Sequence, residues 1–175
     1  MIVLVGKSAS GKTTVEKLLC DGYGYNRIIS YTTRPQRSNE ENGVDYHFTT
    51  EVEFQRLLDN GFFAEHSMYR GYNYGIGKDD CTSGKVVVSN PHGLRQFKEI
   101  FPSSVTSFYL KVSKWRRLAR FVKRGDAILE SFRRIVSDEN VFKNAEEECD
   151  HVIECDGMQP CTIAELIYSK KGALS

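Results

Sequence analysis

Ile2-Val3-Leu4-Val5 runs directly into Gly6-Lys7-Ser8-Ala9-Ser10-Gly11-Lys12-Thr13-Thr14, and a helical pattern over 12–20 follows. This join of a short apolar, β-branched run to a glycine-rich turn and then a helix decides the fold. The turn fits Gly-x-x-x-x-Gly-Lys-Ser/Thr at every defined position, in the strand–loop–helix setting that the motif requires. Its glycines let the backbone wrap closely around phosphates, so that successive N–H groups point inward, and the helix adds the positive end of its dipole. Lys12 is placed to reach β- and γ-phosphates, and the Thr13 hydroxyl to ligate Mg²⁺. Residues Gly6 to Thr14 therefore read as a triphosphate site, ATP in the first instance. The motif alone leaves kinases, GTPases and motor ATPases open.

Outward from the loop, apolar runs alternate with longer helical patterns. Strands are predicted over 2–5, 27–29, 86–89, 105–110 and 151–154, and helices over 12–20, 92–100, 114–122, 128–147 and 162–169. The alternation predicts an α/β, P-loop NTPase fold with a mainly parallel sheet flanked by helices. Asp21-Gly22 and Pro160 read as helix punctuation. Residues 30–83 break the rhythm: rich in Thr, Arg, Asn, Gly and Tyr, with one amphipathic segment over 51–59, they read as an inserted lobe of short strands and a helix. A basic, glycine-broken stretch at about 120–131 reads as a short lid. The 175 residues thus form one domain, with a core of 1–29 and 84–175.

Composition narrows the function. Lys+Arg 24 against Asp+Glu 23 lacks the basic excess of a general nucleic-acid binder, while leaving room for a local cationic cleft. Five cysteines without CxxC spacing or a His cluster predict neither a disulfide framework nor a zinc site. The apolar start is too short for a signal-peptide core, and no run approaches the roughly 20 apolar residues of a membrane span. A soluble cytoplasmic protein is expected, with no membrane partner, as monomer or homodimer.

The inserted lobe chooses among phosphate-handling classes. Ser30-Tyr31-Thr32-Thr33-Arg34-Pro35-Gln36-Arg37 sets two arginines three residues apart, and Gly43-Val44-Asp45-Tyr46 follows. Arginine forks suit bidentate phosphate binding, and a tyrosine hydroxyl can add a donor. A GTPase or motor needs no second anion pocket; an enzyme with a phosphorylated acceptor does. Taken singly, Arg34 and Arg37 could instead pair with Asp45 or Glu40, Glu65 could be a surface carboxylate, and Tyr74 a packing residue. The segment resembles the acceptor-binding region of guanylate kinases, with their Ser-x-Thr-Thr-Arg-x-x-Arg run and later Gly-x-Asp-Tyr. The likeness continues in Phe62-Phe63-Ala64-Glu65 and Tyr72-Asn73-Tyr74-Gly75. It implies a nucleoside-monophosphate-binding lobe. Arg34, Arg37, Tyr46 and Tyr74 would hold the acceptor phosphate, with Ser30 and Glu65 reading guanine.

That pocket has its own chemical logic. Guanine offers two adjacent donors, N1–H and the exocyclic amine, to the two oxygens of one carboxylate, whereas adenine N1 would meet it with a lone pair. Such pairing can discriminate by roughly 10⁴, because the wrong base leaves buried polar groups unpaired.

Phosphoryl transfer also needs cations opposite Lys12. Arg120, Lys123, Arg124, Arg133 and Arg134 lie in and beside the lid, and the resemblance matches Arg124 and Arg134 to the arginines that close over the phosphates. Arg116 and Arg117 read as a solvated basic face. Two departures stand out. Val88 and Asn90 occupy places where guanylate kinases carry an Asp-x-Asp; Asn90 can still hydrogen-bond the acceptor, but without charge. Ile76 replaces a small hydroxyl residue. Together these readings predict an ATP:GMP phosphotransferase, with dGMP as a second acceptor. The rivals are a kinase of the same fold acting on another phosphorylated acceptor, and a non-catalytic binding module of the guanylate-kinase type.

Overall fold

The computed structural model describes residues 1–69, 71–123 and 128–173. Its centre is β1 (Ile2–Val5), every residue of which is buried. Alternate side chains of a strand point to opposite faces, so a strand covered on both sides reads as continuous apolar sequence. Val3 and Val5 join a cluster with Val87, Leu94, Phe97 and Tyr109, while Ile2 and Leu4 join Val15, Leu19, Phe108, Ile163 and Ile167 on the other face. The fold is α/β: a parallel sheet in the order β2 (Asn26–Arg27), β7 (Lys85–Ser89), β1, β8 (Thr106–Lys111), β9 (His151–Glu154). Helices α1 (Lys12–Tyr23) and α7 (Pro160–Gly172) cover one face, and α3 (Pro91–Ile100) the other.

A second sheet lies within the inserted region, in the order β4 (His47–Phe48), β3 (Tyr31–Thr32), β6 (Tyr72–Gly77), β5 (Phe63–Tyr69). Helix α2 (Glu51–Asp59) packs on it through Phe54, whose ring stacks on Phe63 at 4.5 Å. Its N-terminus is capped by Thr50, which accepts from Glu53 N–H, with acidic side chains in the first turn complementing the helix dipole.

Several predicted boundaries move, for local reasons. Asp21 and Gly22 lie inside α1, which ends instead where Gly24 takes a left-handed φ of 73° and donates its N–H to Leu19 C=O. Pro160 is the first residue of α7 rather than a residue preceding it, a position that needs no N–H donor. The first edge strand shifts to Asn26–Arg27, with Ile28 N–H still reaching Val86 C=O. The helix predicted over 128–147 divides into α5 (Ile128–Val141) and α6 (Ala145–Glu148). The turn between them puts both Phe142 and Ala145 into the core. Helix α4 (Lys114–Lys123) precedes residues 124–127, so Arg124 and the three residues after it in the predicted lid lie outside the described residues. No helix among the described residues is long and apolar enough to cross a membrane.

Candidate active site

The glycine-rich loop leaves β1 and enters α1 through two left-handed residues, Ala9 (φ 61°) and Gly11 (φ 99°). Gly6 is required by space, since a Cβ there would sit 2.8 Å from Ser10 Oγ and 2.9 Å from Leu110 C=O. Lys12 Nζ folds back on the loop, donating to the carbonyls of Gly6 and, at 3.1 Å, of Lys7. Burial pulls the Lys12 pKa down to about 8, with Asp138 opposing that shift and Arg117 adding to it. Ser10 Oγ is buried with no hydrogen-bond partner among the described residues.

Lys12 lines two cavities. One, of about 510 Å³, is walled by loop residues Ala9 to Val15 together with Arg120, Lys123, Pro160 and Ile163. Arg120 of α4 donates to Ala9 C=O at 2.9 Å, fastening the crown of the loop. The other, of about 540 Å³, holds Gly6, Ser8 and Lys12 on one wall and Ser30, Tyr46, Glu65, Tyr74 and Asn90 on the others. Five side chains predicted as acceptor ligands thus converge on one space beside the loop.

Each arrives by a different route. Ser30 precedes β3, its carbonyl accepting from His47 N–H at 2.9 Å. Tyr46 precedes β4, and its ring stands 6.0 Å from that of Tyr74 on β6. Glu65 lies at an irregularity in the β5–β6 register, 7% exposed. Burial raises its carboxyl to about 7, against a smaller opposing effect of the Ser67 hydrogen bond. Gly93 of α3 makes room for it, because a Cβ there would fall 2.9 Å from Glu65 Cγ. Asn90 caps α3, its Oδ1 accepting from Gly93 N–H at 2.9 Å, so part of its hydrogen-bonding capacity is structural.

The two arginines expected to hold the acceptor phosphate, Arg34 and Arg37, stand outside the cavity wall. Arg34 pairs with Glu40 at 2.7 Å and donates to Pro35 C=O, with its guanidinium 5.3 Å from the centre of the Tyr46 ring. The Glu40 pairing, with help from Tyr74, raises the Arg34 pKa further. Glu40 also accepts from Arg37 N–H at 2.9 Å, so one carboxylate organises the whole Arg34–Arg37 turn. Arg134, half-buried on α5, lines neither cavity.

Some residues of the site carry no readable signal in the chain. Ser67, Tyr69 and Phe142 line the second cavity beside Ile76 and Val88. Arg117 is no solvated residue: it is 1% exposed and pairs with Asp138 and Glu139. Its place on a basic helix face hid that, since partners on another helix leave no trace in local spacing.

The guanylate kinase family model matches residues 1–162. The chain belongs to the guanylate kinase family. Among its relatives, the guanylate kinase of Coxiella burnetii is 30% identical over 183 aligned positions, covering 91% of this chain and 88% of that one. The guanylate kinase of Mycobacterium leprae is 30% identical over 188 positions, covering 100% of this chain and 87% of the relative. A solved guanylate kinase from Anaplasma phagocytophilum superposes with a TM-score of 0.73 over 99% of this chain and 84% of its own, at 24% identity, a likeness of fold.

Proposed function

We propose that this chain is a guanylate kinase that transfers the γ-phosphoryl of ATP to GMP, or to dGMP, giving ADP and the nucleoside diphosphate. The observation that carries the reading is the pair of cavities meeting at Lys12, one walled by the phosphate loop, the other by Glu65, Ser30, Tyr46 and Tyr74. Two substrates brought to opposite sides of one cation convert a bimolecular encounter into a positioned transfer. Lys12 would leave the loop carbonyls for the β- and γ-phosphates, neutralising charge as the P–O bond breaks. The acceptor phosphate, already anionic near neutral pH, needs no separate general base.

On the acceptor side, Tyr46 and Tyr74 would hold the GMP phosphate from the cavity wall, with Arg34 and Arg37 behind them. Glu65 would take the guanine N1–H and amine, and Ser30 would donate to O6. Asn90 faces the same space with what its capping role leaves free. Arg124 and Arg134 would approach over the transferring phosphoryl when the α4–α5 region closes and water is expelled.

Mg²⁺ fits the residues present. Thr13, the loop residue after Lys12, lines the donor cavity and offers a hard oxygen ligand, and Ser10 Oγ in the same loop has no partner among the described residues. No cluster of three or more His, Cys, Asp or Glu side chains forms a cage among the described residues. That suits an ion held mainly by phosphate oxygens and water. The metal would supply charge neutralisation to the phosphates, with Thr13 as the residue that would hold it. The deciding assay is ADP release from ATP and Mg²⁺ with GMP, dGMP, AMP, CMP and UMP offered in parallel. Turnover with GMP and dGMP alone is expected. Turnover with AMP but not GMP would overturn the Glu65–Ser30 assignment.

A further inference from the structure

Helix α5 presses two carboxylates onto the phosphate loop that the roles above leave without a task. Asp138 Oδ2 accepts from Ser8 N–H at 2.7 Å, and its Oδ1 accepts from the Ser8 hydroxyl at 3.2 Å. Glu139 takes Lys7 Nζ at 2.6 Å. Behind them the fully buried Arg117 of α4 grips both acids, Nη1 reaching Asp138 at 3.2 Å and Nη2 reaching Glu139 at 3.1 Å. Asp138 is itself 8% exposed. A buried pair of this kind is a poor source of stability, since apolar residues of similar volume often replace it without loss. Its position against the loop is what needs a reason. Ser8 and Lys12 share the wall of the acceptor cavity, and the Asp138 charge also acts on Lys12. Ser8 N–H is one amide of a loop whose sequence suits phosphate, and in this structure it points at Asp138.

We propose that Asp138 is a resident anion of the phosphate loop, occupying Ser8 N–H and the Ser8 hydroxyl while no nucleotide is bound, and displaced onto Arg117 when phosphate arrives. One N–H cannot serve a carboxylate and a phosphate oxygen together, and the two anions repel at close range. Arg117 makes the exchange feasible, because its fork offers Asp138 a partner throughout and no buried charge is left alone. The resident carboxylate keeps the empty loop in its anion-binding shape and lowers its affinity for phosphate. It therefore sets the strength of nucleotide binding from a side chain that touches no substrate in the roles above.

The inference rests on the loop binding nucleotide phosphate, as proposed above. Its test is titration calorimetry with inorganic tripolyphosphate on wild type, Asp138→Asn, and the double variant Arg117→Met with Asp138→Asn. Asparagine keeps an acceptor for Ser8 N–H but removes the charge, and the double variant leaves no unpaired buried arginine if the single one folds poorly. Both variants are expected to bind tripolyphosphate about tenfold or more tightly than wild type. A wild type that binds none would overturn the phosphotransfer reading and this inference with it. A wild type that binds, with neither variant binding more tightly, overturns the resident anion alone.

Discussion

The phosphate loop and the cavity proposed for the acceptor share Lys12 and are built in opposite ways. The loop is nine consecutive residues whose shape comes from their own backbone: Ser10 N–H donates to Lys7 C=O at 3.1 Å, and Lys12 closes on the carbonyls of Gly6 and Lys7. The acceptor cavity draws Ser30, Tyr46, Glu65, Tyr74 and Asn90 from five separate places along the chain, each delivered by a strand end, a hairpin or a helix cap. A phosphate is a compact, symmetric anion that a local nest of N–H groups can satisfy. A purine edge needs donors and acceptors fixed several ångströms apart, which only long-range packing supplies. Damage to the loop should therefore strike turnover with every acceptor, whereas damage to the cavity should strike one substrate.

Lys12→Ala gives the largest effect. Turnover should fall by about 10³-fold with GMP and dGMP alike, the cost of removing a preorganised charge from the transferring group. Circular dichroism and thermal melting should remain close to wild type, since among the described residues Lys12 hydrogen-bonds loop carbonyls alone. Retention of full activity would break the contrast at its root.

Glu65→Gln should lower kcat/KM for GMP by about 100-fold, the equivalent of losing charge-assisted pairing to two donors. ATP affinity should hold within about twofold, because the change lies across Lys12 from the donor cavity. Equal losses for GMP and ATP would mean that the two cavities do not act as separate sites.

A pH series sharpens the same point. In the proposed base pocket guanine's donors would require the ionised Glu65 carboxylate, which burial shifts up to about 7. Protonation below that value removes the acceptor, so KM for GMP should rise as pH falls, by about tenfold at pH 6 relative to pH 8. The phosphate of GMP titrates nearby, so the reference is the Glu65→Gln profile, which should lack this step. Identical profiles would remove Glu65 from base recognition.

The smallest effects compare two glycines. Gly93→Ala should cost about 1–3 kcal/mol by denaturant unfolding and raise KM for GMP, because the new methyl meets the Glu65 side chain and Ser89 Oγ. Gly22→Ala, inside α1 with nothing within 4 Å of the added carbon, should instead stabilise by about 0.5–1 kcal/mol with kinetics unchanged. A neutral Gly93→Ala would show that α3 does not hold Glu65 in place.

Much of the frame was readable in the chain. The run from Ile2 to Val5 declares a strand buried on both faces, and Lys12 follows a motif whose meaning depends on consecutive residues alone. The segment over 51–59 shows its period clearly enough that α2 starts and stops where expected. The division of 128–147 was not readable, because the turn serves Phe142 and Ala145, whose core partners lie on other elements. Glu40 was visible as one possible partner of Arg34, but Asp45 was an equal candidate on spacing. The fold decides for Glu40, while Asp45 instead accepts from Glu41 N–H at 2.8 Å.

By itself, the sequence determined the α/β class, the phosphate loop and the identity of the polar groups offered to an acceptor. These follow from short-range rules: side-chain period, backbone conformation at glycine, and the donor or acceptor character of each side chain. Tertiary structure alone decided that Glu65 is buried enough to titrate near neutrality, that Arg34 waits behind Tyr46 on Glu40, and that Arg117 and Asp138 lock a helix onto Ser8. Burial and charge pairing depend on what surrounds a group in space, and those neighbours lie from six residues away, as for Arg34 and Glu40, to 130, as for Ser8 and Asp138.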